Sequence, residues 1–351
     1  MIVYFRKALI MSLFSLLTQL AFADGSPVYI KPPVITAVAF SKDGLSIAVS
    51  GYKEALIHDV STGSLTRRVP STSQKLLSLI YSQDGKILVG SGGTPAVSGE
   101  LQIWDTADYK LINSVKIGTD TLFGAALSAD ATRLVFGGSD NTVRIITVPE
   151  GKQILKFDNH SDWVLATVFT FDNNSFLSTG RDSAIKLVHI EGETGSFIDD
   201  INTHTTIMRT LVRHPKLDQV LCGGDDGVPR LYKVYRTEAR SMNQEDHNLI
   251  KAYDGLDSLI SALAFQPEGK LFAAGTEAGN IALFETETGR KLGELTGAKG
   301  AIYCIAFSSD GKTLAAGGMD GMLRIYEVST RKLLREFVPV PLSKPVKEAR
   351  H

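Results

Sequence analysis

The feature that most limits how this chain can fold is a polar turn that returns at a nearly fixed interval. It reads Lys42-Asp43-Gly44, Gln83-Asp84-Gly85, Ala129-Asp130-Ala131, Phe171-Asp172-Asn173, Pro215-Lys216, Pro267-Glu268-Gly269 and Ser309-Asp310-Gly311, in steps of 41, 46, 42, 44, 52 and 42 residues. The last copy is the cleanest. Between Ala301 and Val340, four runs rich in Ile, Tyr, Phe, Val and Leu (302–307, 313–317, 322–328 and 333–337) are separated by Asp310-Gly311, Asp320-Gly321 and a polar loop at Ser329-Thr330. Asp-Gly pairs supply the positive φ that tight hairpins need, and such runs suit a half-buried pleated surface, so each copy reads as a four-stranded meander. One meander cannot hide both of its faces. Repetition at this period predicts an all-β fold: a seven-bladed β-propeller of four-stranded antiparallel blades over residues 34–340.

With the period established, the residues resemble the WD-repeat β-propeller family. The resemblance rests on Trp104-Asp105 closing the third run of the second copy, and on Ala39-Phe40-Ser41-Lys42-Asp43-Gly44 and Ala306-Phe307-Ser308-Ser309-Asp310-Gly311. At the Trp position the other copies carry His58, Ile146, Val188, Tyr232, Phe284 and Tyr326. The family is mostly a recognition scaffold, and a fold does not assign a task. The resemblance also implies a hydrogen-bonded link in each blade, from a His before strand one to a Ser or Thr in strand two and an Asp in the turn after it. His160, Ser178 and Asp182 fall at those places. His204 and Asp226 suggest a second, degraded link with Cys222 at the strand position. An N-terminal strand completes the last blade in many such propellers, which makes Val28 to Lys31, within the 24–33 segment, a candidate extra edge strand.

The first residues follow a different pattern. Arg6-Lys7 precede an apolar run from Ala8 to Phe22 that ends in Ala21-Phe22-Ala23 and turns polar at Asp24-Gly25. A positive flank, a short apolar core and a small-x-small site predict a signal peptide over 1–23 and an exported chain, periplasmic or extracellular, with no membrane span after cleavage. The two cysteines, Cys222 and Cys304, lie a whole blade apart and are expected to be buried and unbridged. A net charge of −1 offers no broad basic face, which argues against nucleic acid as a partner. Residues 341–351, with Pro341, Pro345, Lys344, Lys347 and Arg350, read as a flexible basic tail.

Several sets of residues carry the parts of a chemical site. His160, Ser178 and Asp182 have the parts of a nucleophilic triad, but the structural link accounts for the same three positions. The seven histidines lack the short pairings of zinc sites, and without Cys-x-x-Cys-His no covalent haem can attach, so neither metal nor cofactor is expected. The chain is similar to secreted bacterial WD-repeat modules, some of them joined to c-type cytochrome domains, so a cytochrome-type partner is one option. What remains is a loop surface. Aligning the copies puts Trp163 at the entry to strand one of the fourth copy, and Arg181, Asp225, Glu277 and Met319 in successive turns between strands two and three. These five are the candidate contacts for a protein partner of a monomeric scaffold. Two other readings stand beside it: a propeller enzyme with a channel-lining site, and an accessory subunit of a membrane or redox complex.

Overall fold

A computed structural model of the chain describes residues 26–202, 205–236 and 248–343. The expected signal peptide, His204, residues 237–247 and the end of the basic tail lie outside them. Two compact units divide the chain, the larger being Pro32–Val340. In the smaller one Tyr29 bridges Leu342 in parallel, and the Ser343 amide donates to the Tyr29 carbonyl at 2.8 Å. The 28–31 segment therefore meets the chain's own tail by a single bridge.

Every regular element among the described residues is a β-strand. Five sheets are four-stranded antiparallel meanders in chain order, spanning 122–157, 164–200, 208–252, 260–295 and 302–337. The first sheet has seven strands: β1 (Val38–Phe40), β2 (Ser46–Ser50), β3 (Tyr52–Asp59), β4 (Leu65–Tyr81), β5 (Ile87–Thr94), β6 (Ser98–Asp105) and β7 (Leu111–Ile117). The long β4 pairs with β3 through 65–70 and with β5 through 75–81.

Two expectations change here. The sequence ends the first copy near Ser71, yet β4 runs through that point without a break. The hydroxyls of Thr72 and Ser73 donate to Glu100 and that of Ser71 to Gln102, both on β6, so the segment is satisfied while extended. Burial works against the Glu100 carboxylate, but these hydroxyls, with Ser98 and Lys116, outweigh it and hold its pKa below the usual value. The stretch from Gly92 to Gly99 reads as a loop, but it extends the β5–β6 hairpin through Gly92↔Glu100, Gly93↔Gly99 and Thr94↔Ser98. Its glycines serve packing: a Cβ on Gly92 would lie 1.9 Å from the Lys75 carbonyl oxygen.

The sheets are joined by a repeated socket. Gly137, Gly223, Gly275 and Gly317 sit on second strands, where an added Cβ would come within 2.5–2.9 Å of Val164, Ile260, Ile302 and Ile35. Each receives the branched side chain that opens the next sheet. The last of them closes the series, because Ile35 belongs at the start of the chain. The Arg335 guanidinium also donates to the Thr62 carbonyl at 2.9 Å, so the final sheet lies directly against the first. Apolar clusters fill the seams, for example Leu283, Ile302, Leu314 and Tyr326 between the last two sheets. Each fully buried aliphatic side chain contributes about 1.5–3 kcal/mol. Second strands are accordingly buried throughout, while fourth strands such as β7 face solvent on one side.

Candidate functional site

Trp163 and Arg181 are brought together by a missing side chain. Gly180 ends a second strand, and a Cβ there would stand 2.0 Å from the Trp163 carbonyl oxygen. Without one, that carbonyl comes in to accept the Arg181 amide at 3.0 Å. Gly224 and Gly318 do the same for the Ile207 and Ala301 carbonyls, which accept the Asp225 and Met319 amides, and Leu259 accepts from Glu277. Arg181, Asp225, Glu277 and Met319 therefore occupy one equivalent position in four successive sheets.

Around Trp163 the side chains form a sandwich. Its ring stacks on Phe123 of the preceding sheet, with centroids 5.7 Å apart and planes 19° apart, and the Arg181 guanidinium lies over it at 4.9 Å. Trp163 remains 38% exposed. Asp162 reaches Arg181 at 3.9 Å. Arg181 and Asp225 do not pair with each other, contrary to the simplest reading of two neighbouring charges, because Arg209 holds Asp225. Met319 is 60% exposed. Sequence reasoning missed Phe123, Asp162 and Arg209. Phe123 and Arg209 each follow the first residue of an innermost strand, beside the local register shift, and that offset was the available signal.

His160, Ser178 and Asp182 are also brought together. Asp182 can only accept, so His160 Nδ1 donates to its Oδ2 at 2.8 Å, and Nε2 is hydrogen-bonded to Ser178 Oγ at 2.8 Å. That connectivity is the one a hydrolytic triad uses. Ser178 is wholly buried, however, and His160 nearly so. Burial works against the charge on Asp182, but the His160 hydrogen bond and the amides of Ser161 and Ala184 leave its pKa lowered.

The WD40 family model (WD domain, G-beta repeat) matches residues 151–189 and 289–327. The chain carries WD40 repeats. Each matched WD40 window begins two residues before the outer strand of one sheet (Gln153–Phe157, Lys291–Leu295) and ends on the third strand of the next. The sequence repeat is thus staggered against the sheets. Among curated relatives, Transducin-like enhancer protein 2 of Mus musculus is 26% identical over 152 residues, 42% of this chain and 19% of that protein. Cleavage stimulation factor subunit 50 of Arabidopsis thaliana is 22% identical over 188 residues, 50% and 42%. Cell division cycle 20.1, cofactor of APC complex, also of Arabidopsis thaliana, is 23% identical over 260 residues, 72% and 54%. The matches span about half or less of those relatives' own length.

Asp226, outside the two matched windows, has a different partner from the one the family resemblance suggests. Its carboxylate pairs with Arg230 on the third strand at 2.7 Å, while His204 lies outside the described residues. Asp140 pairs with Arg144, and Asp320 with Arg324, at the same four-residue spacing. The sequence carries this signal as Asp-x-x-x-Arg. Cys222 and Cys304 are buried and form no disulfide. Among the described residues no three His, Cys, Asp or Glu side chains converge as metal ligands would, and no helix is long and apolar enough to cross a membrane.

Proposed function

We propose that this chain is an exported, monomeric, seven-bladed propeller that binds another protein at the mouth of its channel and performs no catalysis itself. The blade number follows if β4 is shared, its 65–70 half as the last strand of one blade and its 75–81 half as the first strand of the next. Export rests on the pattern of residues 1–23. The sandwich of Phe123, Trp163 and Arg181 carries the binding reading. It holds a large ring rigid and partly exposed, so a partner would lose little side-chain entropy in covering it. Trp and Arg are the residue types that most often dominate interface energy, at about 2 kcal/mol or more when central. The burial of Ser178 supports the absence of catalysis, since a nucleophile must meet its substrate. Relatives described as a cofactor of a complex and a subunit of a factor are consistent with work inside an assembly.

The test is quantitative affinity purification from the exported fraction, comparing the wild type with the Trp163→Ala, Arg181→Ala double variant and identifying partners by mass spectrometry. A partner recovered at least about tenfold less by the double variant supports the mouth as the site, tenfold being roughly 1.4 kcal/mol. Equal recovery would remove it.

A further inference from the structure

An outer strand leaves one row of amides and carbonyls unpaired, and proteins guard such edges with charged side chains, lysine above all, and with proline, so that other strands do not add there. Counting the 65–70 half of β4, which pairs with β3 alone, the chain has seven outer segments. Six are guarded: Arg67, Lys116, Lys156, Lys251, Lys291 and Arg335 each stand in one of them. The Thr194–Asp200 strand carries no cation. It pairs with Ile185–Glu191 on one side, and among the described residues no strand pairs with the other. Phe197 and Ile198 lie along it, 44% and 46% exposed.

The backbone decides what an open edge takes. Alternate residues turn an amide and a carbonyl outward, and an extended segment offers the matching groups at the same spacing. At Asp200 one of these carbonyls is already in use, accepting from Arg236 Nη2 at 3.1 Å, and Arg236 also pairs with Asp199. The open edge therefore ends there and leaves 194–198 for a partner. Lys186 reaches Asp200 at 3.1 Å and stands over the Phe197 ring at 5.5 Å. Cations from elsewhere in the chain thus gather on this strand. At its other end Glu191 and Glu193 are exposed, and the contact of Glu193 with Lys152 at 3.5 Å is a surface pair that contributes little. From Leu187 to Met208 the sequence holds four acids and neither lysine nor arginine. Charge complementarity therefore calls for a basic strand.

We propose that the outer edge of the Thr194–Asp200 strand receives an extended basic segment of a partner protein, which adds to this sheet by main-chain hydrogen bonds. Two strands separate this edge from the innermost strand that follows Trp163, so it is a site apart from the mouth. The probe is a fluorescent peptide of alternating lysine and valine, as long as the strand at 7 residues, followed by anisotropy and by hydrogen exchange of the full chain. We expect saturable one-to-one binding and slower exchange across 194–200. Phe197→Lys, which gives this exposed edge the guard that the other six carry, should weaken binding at least about tenfold. N-methylating the peptide's central amides removes donors from both of its edges and should cost about as much, in a measurement that needs no variant to fold. Replacing the peptide's lysines by glutamates should weaken binding about tenfold or more. The Trp163→Ala, Arg181→Ala variant should bind as the wild type does. Absence of saturable binding overturns the proposal. So does equal binding of the methylated peptide, unchanged exchange across 194–200, or loss of binding in the mouth variant. Equal binding of the acidic peptide would overturn the basic partner. Wild-type dimers in sedimentation that Phe197→Lys dissolves would overturn it too, by giving the edge to a second copy of this chain.

Discussion

The 164–200 and 302–337 sheets place an aspartate at the same point of the same turn and neutralise it in different ways. Asp182 is met by His160, which comes from the loop before the first strand and continues to Ser178. Asp320 is met by Arg324 from the third strand of its own sheet, and Arg324 goes on to Glu336 at 2.5 Å. Both carboxylates also accept an amide from the preceding loop, Ser161 at 3.2 Å and Lys299 at 2.9 Å. The backbone tie is common to both sheets and the cation or imidazole is interchangeable. Anchoring that loop is therefore what the turn requires, and the link with histidine is one of two side-chain solutions present in the chain.

The sharpest way to break this comparison is to remove Arg324. Its side chain is almost fully buried between two carboxylates, so Arg324→Met leaves Asp320 and Glu336 without their shared counter-charge. We expect a loss of roughly 3 kcal/mol or more, since breaking a buried ion pair from one side strands the other charge. Urea unfolding reads this as a lower midpoint at unchanged slope. A loss under about 1 kcal/mol would mean that water relieves Asp320, and the pair would then count as a surface contact.

His160→Ala should cost less, about 1–3 kcal/mol, because Ser178 is orphaned while Asp182 keeps its two amides. It also has a pH signature. The folded pKa of Asp182 is depressed, so its contribution is complete above the ordinary carboxylate pKa and is lost as pH falls through the folded value. Without His160, burial is less opposed and that pKa rises. The acid loss that comes from Asp182 should then be smaller in the variant than in the wild type and be complete at a higher pH, as measured by urea midpoints across the acid range. Coincident acid limbs would show that the amides alone hold the carboxylate.

How much of this was legible follows from which signals are local. The turns, the strand runs of the last copy and the His160 set were readable because each depends on residues close in sequence or on a fixed register. Val164 meeting Gly137, and Phe123 stacking on Trp163, were not readable, since they depend on how one sheet leans on the next. Exposure was hidden too: nothing local distinguishes Trp104, buried against Gly90, from Trp163. The Asp-x-x-x-Arg spacing is present in the sequence but does not announce a pair. On a strand, residues four apart do not suggest a pair until the turn between them folds Asp320 back over Arg324.

The first-to-second-strand turn is where the two sheets should not differ. In the last sheet Ser308 Oγ donates to Asp310 Oδ1 at 2.7 Å and accepts the Thr313 amide at 3.0 Å, and Asp310 Oδ1 accepts the Lys312 amide at 3.0 Å. Thr170, Asp172, Asn174 and Ser175 repeat the pattern in the 164–200 sheet. The Ser308 hydroxyl, then the Lys312 amide, holds the Asp310 pKa below the usual carboxylate value. Ser308→Ala and Thr170→Val should each cost about 0.5–1.5 kcal/mol, the worth of an ordinary hydrogen bond. Side-chain carboxyl NMR should show Asp310 titrating at higher pH in Ser308→Ala. Because the two clamps are built alike, their costs should agree within about 0.5 kcal/mol, even though the aspartate links of the same sheets differ by more. A wide gap between Ser308→Ala and Thr170→Val would show that the sheets differ in general stability, and the contrast between Arg324 and His160 would then belong to the sheets and not to the links.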